Sequence, residues 1–137
     1  MNIVVDTNIV LSAVLKDGIT RRTILSSPHT LLLPVIALTE IENHKYDLLE
    51  RYGLDGSIFQ KTIELLIEKM TLVRAEKYNH QGHNASEILS SIDPDDVPFI
   101  ACALAFPGSI IWSEDKRLKR QITVPVLNTE EILRIEN

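Results

Sequence analysis

The sequence has a single cysteine, few aromatic residues and no long hydrophobic run. The lone Cys102 excludes an intramolecular disulfide and a cysteine-rich zinc site. It lies in an apolar segment, where we expect it to be a small buried residue rather than a nucleophile. Aromatic residues make up 5% of the chain, so aliphatic side chains must form most of the core. The longest apolar runs, such as residues 99–106, are too short to span a bilayer, and no membrane-spanning helix is expected.

Basic residues are not in excess either. The chain carries 14 lysines and arginines against 19 acidic residues, for a formal net charge of −5. This balance counts against a protein that coats DNA non-specifically, but not against a nuclease whose carboxylates bind cations. The sequence opens with a strand-like run instead of a basic segment before an apolar one, so we expect a cytoplasmic protein. Its 137 residues fit a single domain, residues 1–137.

Short β-rich runs alternate with helical patterns along the chain. Strands are predicted at residues 2–5, 30–33, 71–73, 109–112 and 124–127. Helices are predicted at residues 7–15, 20–25, about 35–51, about 57–70, 93–106 and 129–135. The predicted caps are Thr20 for the second helix, Asp93 for the fifth, and Asn128 or Thr129 for the last. The polar segment 76–91 has only weak helical periodicity, so we expect it to be mobile or variable. This alternation predicts a parallel sheet covered on both faces.

Ligands of such sheets bind outside the carboxyl ends of the strands. Asp6 directly follows the first predicted strand, and Asp115 lies just past the fourth. Several converging carboxylates suit a divalent cation, since Mg²⁺ takes oxygen ligands and a hydrolytic site needs charge neutralised on phosphate. An Asp at a strand-to-helix turn is also a common helix cap. Because further acidic stretches accompany it, we interpret Asp6 as a metal ligand.

Two further acidic stretches lie on predicted helices. Glu40 lies in an apolar part of the first long helix, where a buried charge needs a partner. Alternatively, the helix turns it outward. Negative charge alone suits the start of a helix, which would explain Asp93, Asp95 and Asp96. The helix that follows is apolar and must lie close to the sheet, however, so these acids must start near the sheet as well. Asp93 and Asp96, three residues apart, share one side, and Asp95 is expected to be a solvated charge.

A basic run follows Asp115. Lys116, Arg117, Lys119 and Arg120 suit a phosphate backbone approaching the predicted metal site, although a solvated basic turn explains them equally well. The polar residues Thr7, Asn8 and Ser113 are placed to orient the ligands from a second layer.

These motifs together resemble the PIN domain family. The resemblance rests on Val-Val-Asp-Thr-Asn ending at Asn8, an acid in the first long helix, Asp-x-x-Asp before an alanine-rich helix, and Trp-Ser-Glu-Asp-Lys ending at Lys116. It covers nearly the whole chain. The family includes toxin ribonucleases of the VapBC type and stand-alone prokaryotic PIN proteins.

The resemblance implies a three-layer α/β/α sandwich with a parallel sheet of about five strands in the order 3-2-1-4-5. It implies cleavage of single-stranded RNA with Mg²⁺ or Mn²⁺, an antitoxin partner for the toxin members, and a homodimer. Carried over by motif, the catalytic and metal-binding acids are Asp6, Glu40, Asp96 and Asp115. Asp93 is an additional or alternative ligand, and Ser113 stands where the family often has threonine.

Other functions remain to be weighed. An aspartyl-nucleophile phosphatase would have a second Asp where this chain has Asn8. A PIN-like domain that binds RNA or protein without cleaving is the remaining alternative, although all four acids are present. The RNA target and the number of metal ions stay open.

Overall fold

The polypeptide forms a five-stranded parallel sheet flanked by helices, in a computed structural model that describes residues 1–89 and 93–136. The strands are β1 (Asn2–Val5), β2 (Thr30–Pro34), β3 (Met70–Val73), β4 (Ile110–Trp112) and β5 (Val126–Leu127). The helices are α1 (Thr7–Leu15), α2 (Ile19–Ser26), α3 (Ile36–Tyr52), α4 (Gly56–Glu68), α5 (Ala75–Tyr78), α6 (Gly82–Ile88), α7 (Val97–Ala105) and α8 (Thr129–Glu136). The strand order β3-β2-β1-β4-β5 confirms the predicted α/β/α topology.

The sheet is built around β1, which pairs with β2 on one side and with β4 on the other. Ile3 lies opposite Leu31 in β2 and opposite Ile110 in β4. All three side chains are buried, as expected for central strands covered on both faces. Because β1 and β4 run parallel in register, their carboxyl ends meet at the same edge, where Asp6 N–H donates to the carbonyl of Trp112 at 3.1 Å.

Helix α7 is the most apolar helix and lies against the middle of the sheet, in contact with β1, β2 and β4. Five of its residues are buried, Cys102 among them, which confirms the interpretation of this cysteine as a core residue. Asp93 accepts the Asp95 N–H at 2.9 Å, as a cap should, but the next residues, Pro94–Asp96, form a 3-10 turn before α7 begins. This turn offsets Asp96 from the α-helical spacing that the sequence predicted.

Several predicted boundaries are wrong. Gly18, not Thr20, caps α2, and Thr20 lies inside the helix. The second long helix ends at Glu68, because Met70 pairs with Leu31 in the sheet instead of continuing the helix. Gly53 ends α3 in a left-handed conformation with φ of 60°, a backbone state that glycine adopts at little cost.

The segment expected to be mobile, residues 76–91, is helical through most of its length. Helix α5, a 3-10 turn (Asn79–Gln81) and α6 bury Tyr78, Ala85 and Leu89 against the core. Few apolar residues are distributed along this mostly polar segment, which is why its helical periodicity looked weak. Residues 90 and 91 of the predicted segment lie outside the described residues. Within residues 1–89 and 93–136, no helix combines the length and apolarity needed to cross a membrane.

Hydrogen bonds between buried polar groups attach the C-terminal helix α8 to the end of β4. Trp112 is fully buried, and its indole N–H donates to the Thr129 hydroxyl at 3.0 Å. Asn128 caps α8 by accepting the Glu131 N–H, and Glu131 in turn accepts the Asn128 N–H. This reciprocal pair is a capping box, and it confirms the predicted start of the helix.

We predict that Thr129→Val lowers the free energy of unfolding by about 1–3 kcal/mol, because the buried indole N–H loses its acceptor while side-chain volume is kept. Urea denaturation followed by circular dichroism measures the change. The control Thr71→Val alters an exposed threonine of β3 and should change stability by less than about 0.5 kcal/mol. Equal changes in the free energy of unfolding for the two substitutions would contradict a stabilising role of the buried hydrogen bond between Trp112 and Thr129.

Candidate metal centre

Asp6 and Ser113 form the centre of the candidate site. Asp6 follows β1, Ser113 follows β4, and the pairing of these two strands brings the residues together. The Ser113 hydroxyl donates to Asp6 Oδ2 at 2.7 Å and accepts the Asp115 N–H at 3.1 Å. Asp6 is only 7% exposed, and burial raises the pKa of its carboxyl while the Ser113 hydrogen bond opposes that rise. Ser113 therefore links two of the predicted metal ligands.

Asp115 lies at the outer side of this pair. Its Oδ1 accepts the Arg117 N–H at 2.9 Å, and its Oδ2 forms an ion pair with the Arg117 guanidinium at 3.4 Å. Partial burial alone raises the pKa of Asp115, but the hydrogen bonds and charge of Arg117 outweigh it and hold the pKa below its ordinary value. Asp115 is thus kept ionised, and the Arg117 side chain is paired with it.

Asp96 faces the same centre from the turn before α7. Burial and the charges of Asp6, Asp115 and Asp93 raise the pKa of Asp96 from 3.8 to about 7. Its Oδ2 atom is buried and has no hydrogen-bond partner within the described parts of the chain. Buried carboxylate oxygens are normally satisfied, so this orphaned acceptor indicates a site built for a ligand.

Glu40 approaches from α3. It is half-buried, and burial together with the charges of Asp6 and Asp95 raises the pKa of its carboxyl, while the Thr7 hydroxyl and His44 oppose the rise. The Thr7 hydroxyl is itself buried and lacks a well-formed hydrogen bond among the described residues. Glu40 therefore faces inward, and the alternative in which α3 turns it outward is wrong.

The structure qualifies two predicted roles. Asp95 is exposed in the 3-10 turn before α7, which agrees with the expectation of a solvated helix-start charge, and it lies beside Glu40. The basic run is only partly available for a phosphate backbone, since Arg117 pairs with Asp115 and Lys119 with Glu131. Lys116 and Arg120 are exposed and form no ion pair within residues 1–89 and 93–136.

The supporting polar residues fall into two groups. Ser113 and Thr7 are buried beside the acids, whereas Asn8 is exposed at the start of α1, where its backbone N–H is directed to Asp6. The sequence did not predict a role for Glu114, whose carboxylate accepts the Thr129 N–H at 2.8 Å and so anchors α8 beside the site. Only the tertiary placement of α8 against β4 reveals this contact.

The donor set fits a hard divalent cation. The candidate ligands are all carboxylates, and their charges raise one another's pKa values, which is the repulsion that a cation would relieve. No three acidic, histidine or cysteine side chains of the described residues are already close enough to form a metal-binding group. Binding an ion would therefore require the side chains to move together from these positions.

We predict that Ser113→Ala raises the pKa of Asp6 further, because the charged carboxylate loses the hydroxyl that stabilises it. Carbon-13 NMR titration of the Asp side chains measures this shift. Ser113→Thr keeps the hydroxyl and should leave the pKa near its wild-type value. As a matched control, Ser109→Ala removes a buried 2.9 Å bond to the Ala103 carbonyl at the other end of β4. If both alanine variants shift the pKa of Asp6 by the same amount, the hydrogen bond from Ser113 to Asp6 is not the specific cause of the shift.

We predict that the metal-free protein becomes less stable as the pH rises from about 4 to about 7. The folded state holds the Asp96 proton up to a pKa of about 7, whereas the unfolded chain releases it near 3.8. In this window the folded state binds more protons, so the free energy of unfolding falls with rising pH and levels off above 7.

Asp96→Asn should flatten this pH dependence and stabilise the metal-free protein at pH 7.5 by an amount of the order of 1 kcal/mol, allowing for solvent screening. Urea titrations at several pH values in EDTA measure the effect. Asp47→Asn, an exposed residue paired with Arg51 on α3, is the control and should retain the wild-type slope.

Comparison with solved structures shows the same fold in other proteins. The chain is similar to VapBC2 from Rickettsia felis bound to a DNA fragment from their promoter, with a TM-score of 0.74, 15% identity, and coverage of 93% of this chain and 98% of that one. It is similar to DNA-bound VapBC from Salmonella typhimurium, with a TM-score of 0.69, 14% identity, and coverage of 94% and 98%.

A third similar structure is PAE2754 from Pyrobaculum aerophilum, with a TM-score of 0.69, 10% identity, and coverage of 98% of this chain and 89% of that one. At these identities the likeness establishes the fold. No curated protein sequence matches the chain. The family model of the PIN domain matches residues 4–134, which include every candidate acid, and the chain therefore belongs to the PIN domain family.

Proposed function

We propose that this protein is a metal-dependent endoribonuclease that hydrolyses phosphodiester bonds of single-stranded RNA. Membership of the PIN domain family supports a nuclease, and such nucleases generally use divalent metals. The observation that carries the proposal is the grouping of Asp6, Asp96 and Asp115 beyond the ends of β1 and β4, where the charges of Asp6 and Asp115 act on Asp96 and an Asp96 oxygen is buried without a hydrogen-bond partner among the described residues. A stable fold gains nothing from such a cluster unless a cation binds there.

In this proposal the catalytic and metal-binding residues are Asp6, Glu40, Asp96 and Asp115, with Asp93 as an additional or alternative ligand. Mg²⁺ or Mn²⁺, when bound, would neutralise charge on the phosphate and make water a stronger nucleophile. Ser113 would hold the Asp6 carboxylate in place through its 2.7 Å bond. Thr7 would support Glu40, and Asn8 would direct its backbone N–H to Asp6.

Hydrolysis forms a bond between a water oxygen and phosphorus and breaks the phosphorus–oxygen bond to the leaving ribose. The attacking water gives up a proton to solvent, and the leaving ribose oxygen takes one up. No covalent bond to the chain is required. Lys116 and Arg120 are free to contact phosphates beside the site, and Arg117 and Lys119 would do so only by exchanging their carboxylate partners. Asp115, if it served as a metal ligand, would pair less strongly with Arg117, and that guanidinium would then be able to contact the RNA.

We also propose that the chain acts as one PIN-like domain with a protein partner. The VapBC names of two structural neighbours support an antitoxin, and a homodimer is the second expectation. A surface cleft of about 540 Å³ includes Leu15, Ile19 and Tyr52, apolar side chains that suit a protein contact. The alternative is a PIN domain that binds RNA or protein without cleaving, and the presence of all four acids favours the nuclease.

We predict that Asp6→Asn lowers the rate of RNA cleavage at least about 100-fold, because a buried ligand of the cation is lost while side-chain shape is kept. The measurement is cleavage of a labelled, unstructured RNA with Mn²⁺ or with EDTA. Asp47→Asn, which removes an exposed carboxylate from α3, is the control and should cleave at the wild-type rate.

Metal binding gives an independent readout. Mn²⁺ should raise the melting temperature of the wild type and of Asp47→Asn, but not that of Asp6→Asn. Cleavage by wild-type protein in EDTA, or full activity of Asp6→Asn, would contradict the proposal. Mn²⁺ binding without cleavage of any RNA would favour the silent-domain alternative.

A further inference from the structure

A cleft opens beside the carboxylates, between α3 and the turn that precedes α7. It has a volume of about 460 Å³. Glu40 lies in it together with Asn43 and His44, which are one turn further along the same face of α3. The opposite wall carries Pro94, Asp95 and Pro98. Glu40 thus belongs both to this cleft and to the candidate metal centre, so the two are continuous.

The charge of the cleft restricts what can bind there. Among the described residues, the cleft contains two acidic side chains, Glu40 and Asp95, and the only other ionisable side chain in it is His44. A phosphate would be repelled, so the sugar–phosphate backbone of a nucleic acid is excluded from this position. An occupant that is not itself a cation must be an uncharged group that offers hydrogen-bond donors.

The remaining groups suit a nucleobase. Pro94 and Pro98 supply apolar surface, and the His44 imidazole supplies an aromatic ring on which a base can stack. The Asn43 amide and the Asp95 carboxylate are exposed acceptors, and Asn43 is also a donor. Exocyclic amines of adenine, cytosine and guanine donate to such acceptors, whereas the one donor on the base-pairing edge of uracil, N3–H, lies between two carbonyl oxygens that the acidic cleft would repel.

The position of the cleft fits a base next to the reacting phosphate. His44 lies four residues beyond Glu40, about 6 Å along the helix axis at the α-helical rise. A phosphate held at the carboxylates would therefore leave its neighbouring nucleoside within reach of Asn43 and His44. Sequence-selective proteins commonly read unpaired RNA bases in this way, by stacking and by contacts to base edges.

We propose that this cleft binds one unpaired base of the RNA substrate, adjacent to the scissile phosphate, and selects bases that carry an exocyclic amine. The inference rests on the proposed ribonuclease function, which it extends by assigning a specificity site. Asn43 and Asp95 read the base edge, and His44 with the two prolines holds the base plane.

Ribonucleoside 5′-monophosphates test the cleft without any bond to cleave. The wild-type protein is titrated with AMP, CMP, GMP and UMP in Mg²⁺, and binding is followed by NMR at the side chains of Asn43 and His44. We expect the three amine-bearing nucleotides to bind at least about 5-fold more tightly than UMP. Asn43→Ala and Asp95→Asn should each reduce that preference, and His44→Ala should weaken all four.

Matched controls come from α6, where an asparagine and a histidine are also exposed. Asn84→Ala and His83→Ala remove the same side-chain types outside the cleft and should leave binding unchanged. Equal binding of all four nucleotides, binding by none, or a preference that survives Asn43→Ala and Asp95→Asn would overturn the inference. Loss of Mg²⁺ affinity in Asp95→Asn with unchanged base preference would also overturn it, since the cleft would then be a cation site.

Cleavage of a random-sequence RNA by the wild type and Asn43→Ala separates this inference from the proposed function. Cleavage with no base preference beside the cut, or with the same preference in both proteins, leaves the ribonuclease in place and overturns the specificity site. Selective nucleotide binding without any cleavage supports the site and contradicts the ribonuclease. A preference for amine-bearing bases that weakens in Asn43→Ala supports both.

Discussion

The parallel pairing of β1 with β4 determines where the candidate site of this protein lies. The register that places Val5 opposite Trp112 also places Asp6 beside Ser113, one residue past each strand. A one-residue slip would direct Asp6 to the other face of the sheet and separate it from the Ser113 hydroxyl. The buried core of these two strands therefore positions a carboxylate that, by itself, is costly to bury.

The acids that gather at this edge oppose folding and favour cation binding for the same reason. Burial and mutual repulsion raise the pKa values of Asp6, Glu40 and Asp96, so each charge costs free energy in the metal-free state. Asp115 differs because Arg117 neutralises it. A divalent ion would replace that repulsion with attraction, so the proposed activity and the stability of the fold would depend on the same electrostatic balance. Apolar burial elsewhere, above all in α7, must offset the cost.

The resemblance to the PIN domain family predicted the sheet order, and the sequence itself predicted the positions of Asp6 and Asp115, because strand ends follow directly from hydrophobic pattern and turn residues. It also predicted the cap at Asp93, a local interaction. It did not predict that Asp95 lies beside Glu40, that Lys119 pairs with Glu131, or that Glu114 accepts the Thr129 N–H, because these partners are distant in sequence or on another element. Such contacts depend on how the helices and loops pack.

The only tryptophan of the chain gives this site a natural optical reporter. Trp112 is the last residue of β4, is shielded from water, and is adjacent in sequence to Ser113. Its indole N–H donates to the Thr129 hydroxyl. The Thr129 backbone N–H in turn donates to the carboxylate of Glu114, which lies in the loop that leads to Asp115. A rearrangement of that loop would alter the polarity around the indole. Its intrinsic emission can therefore follow events at the carboxylates in real time, without a label.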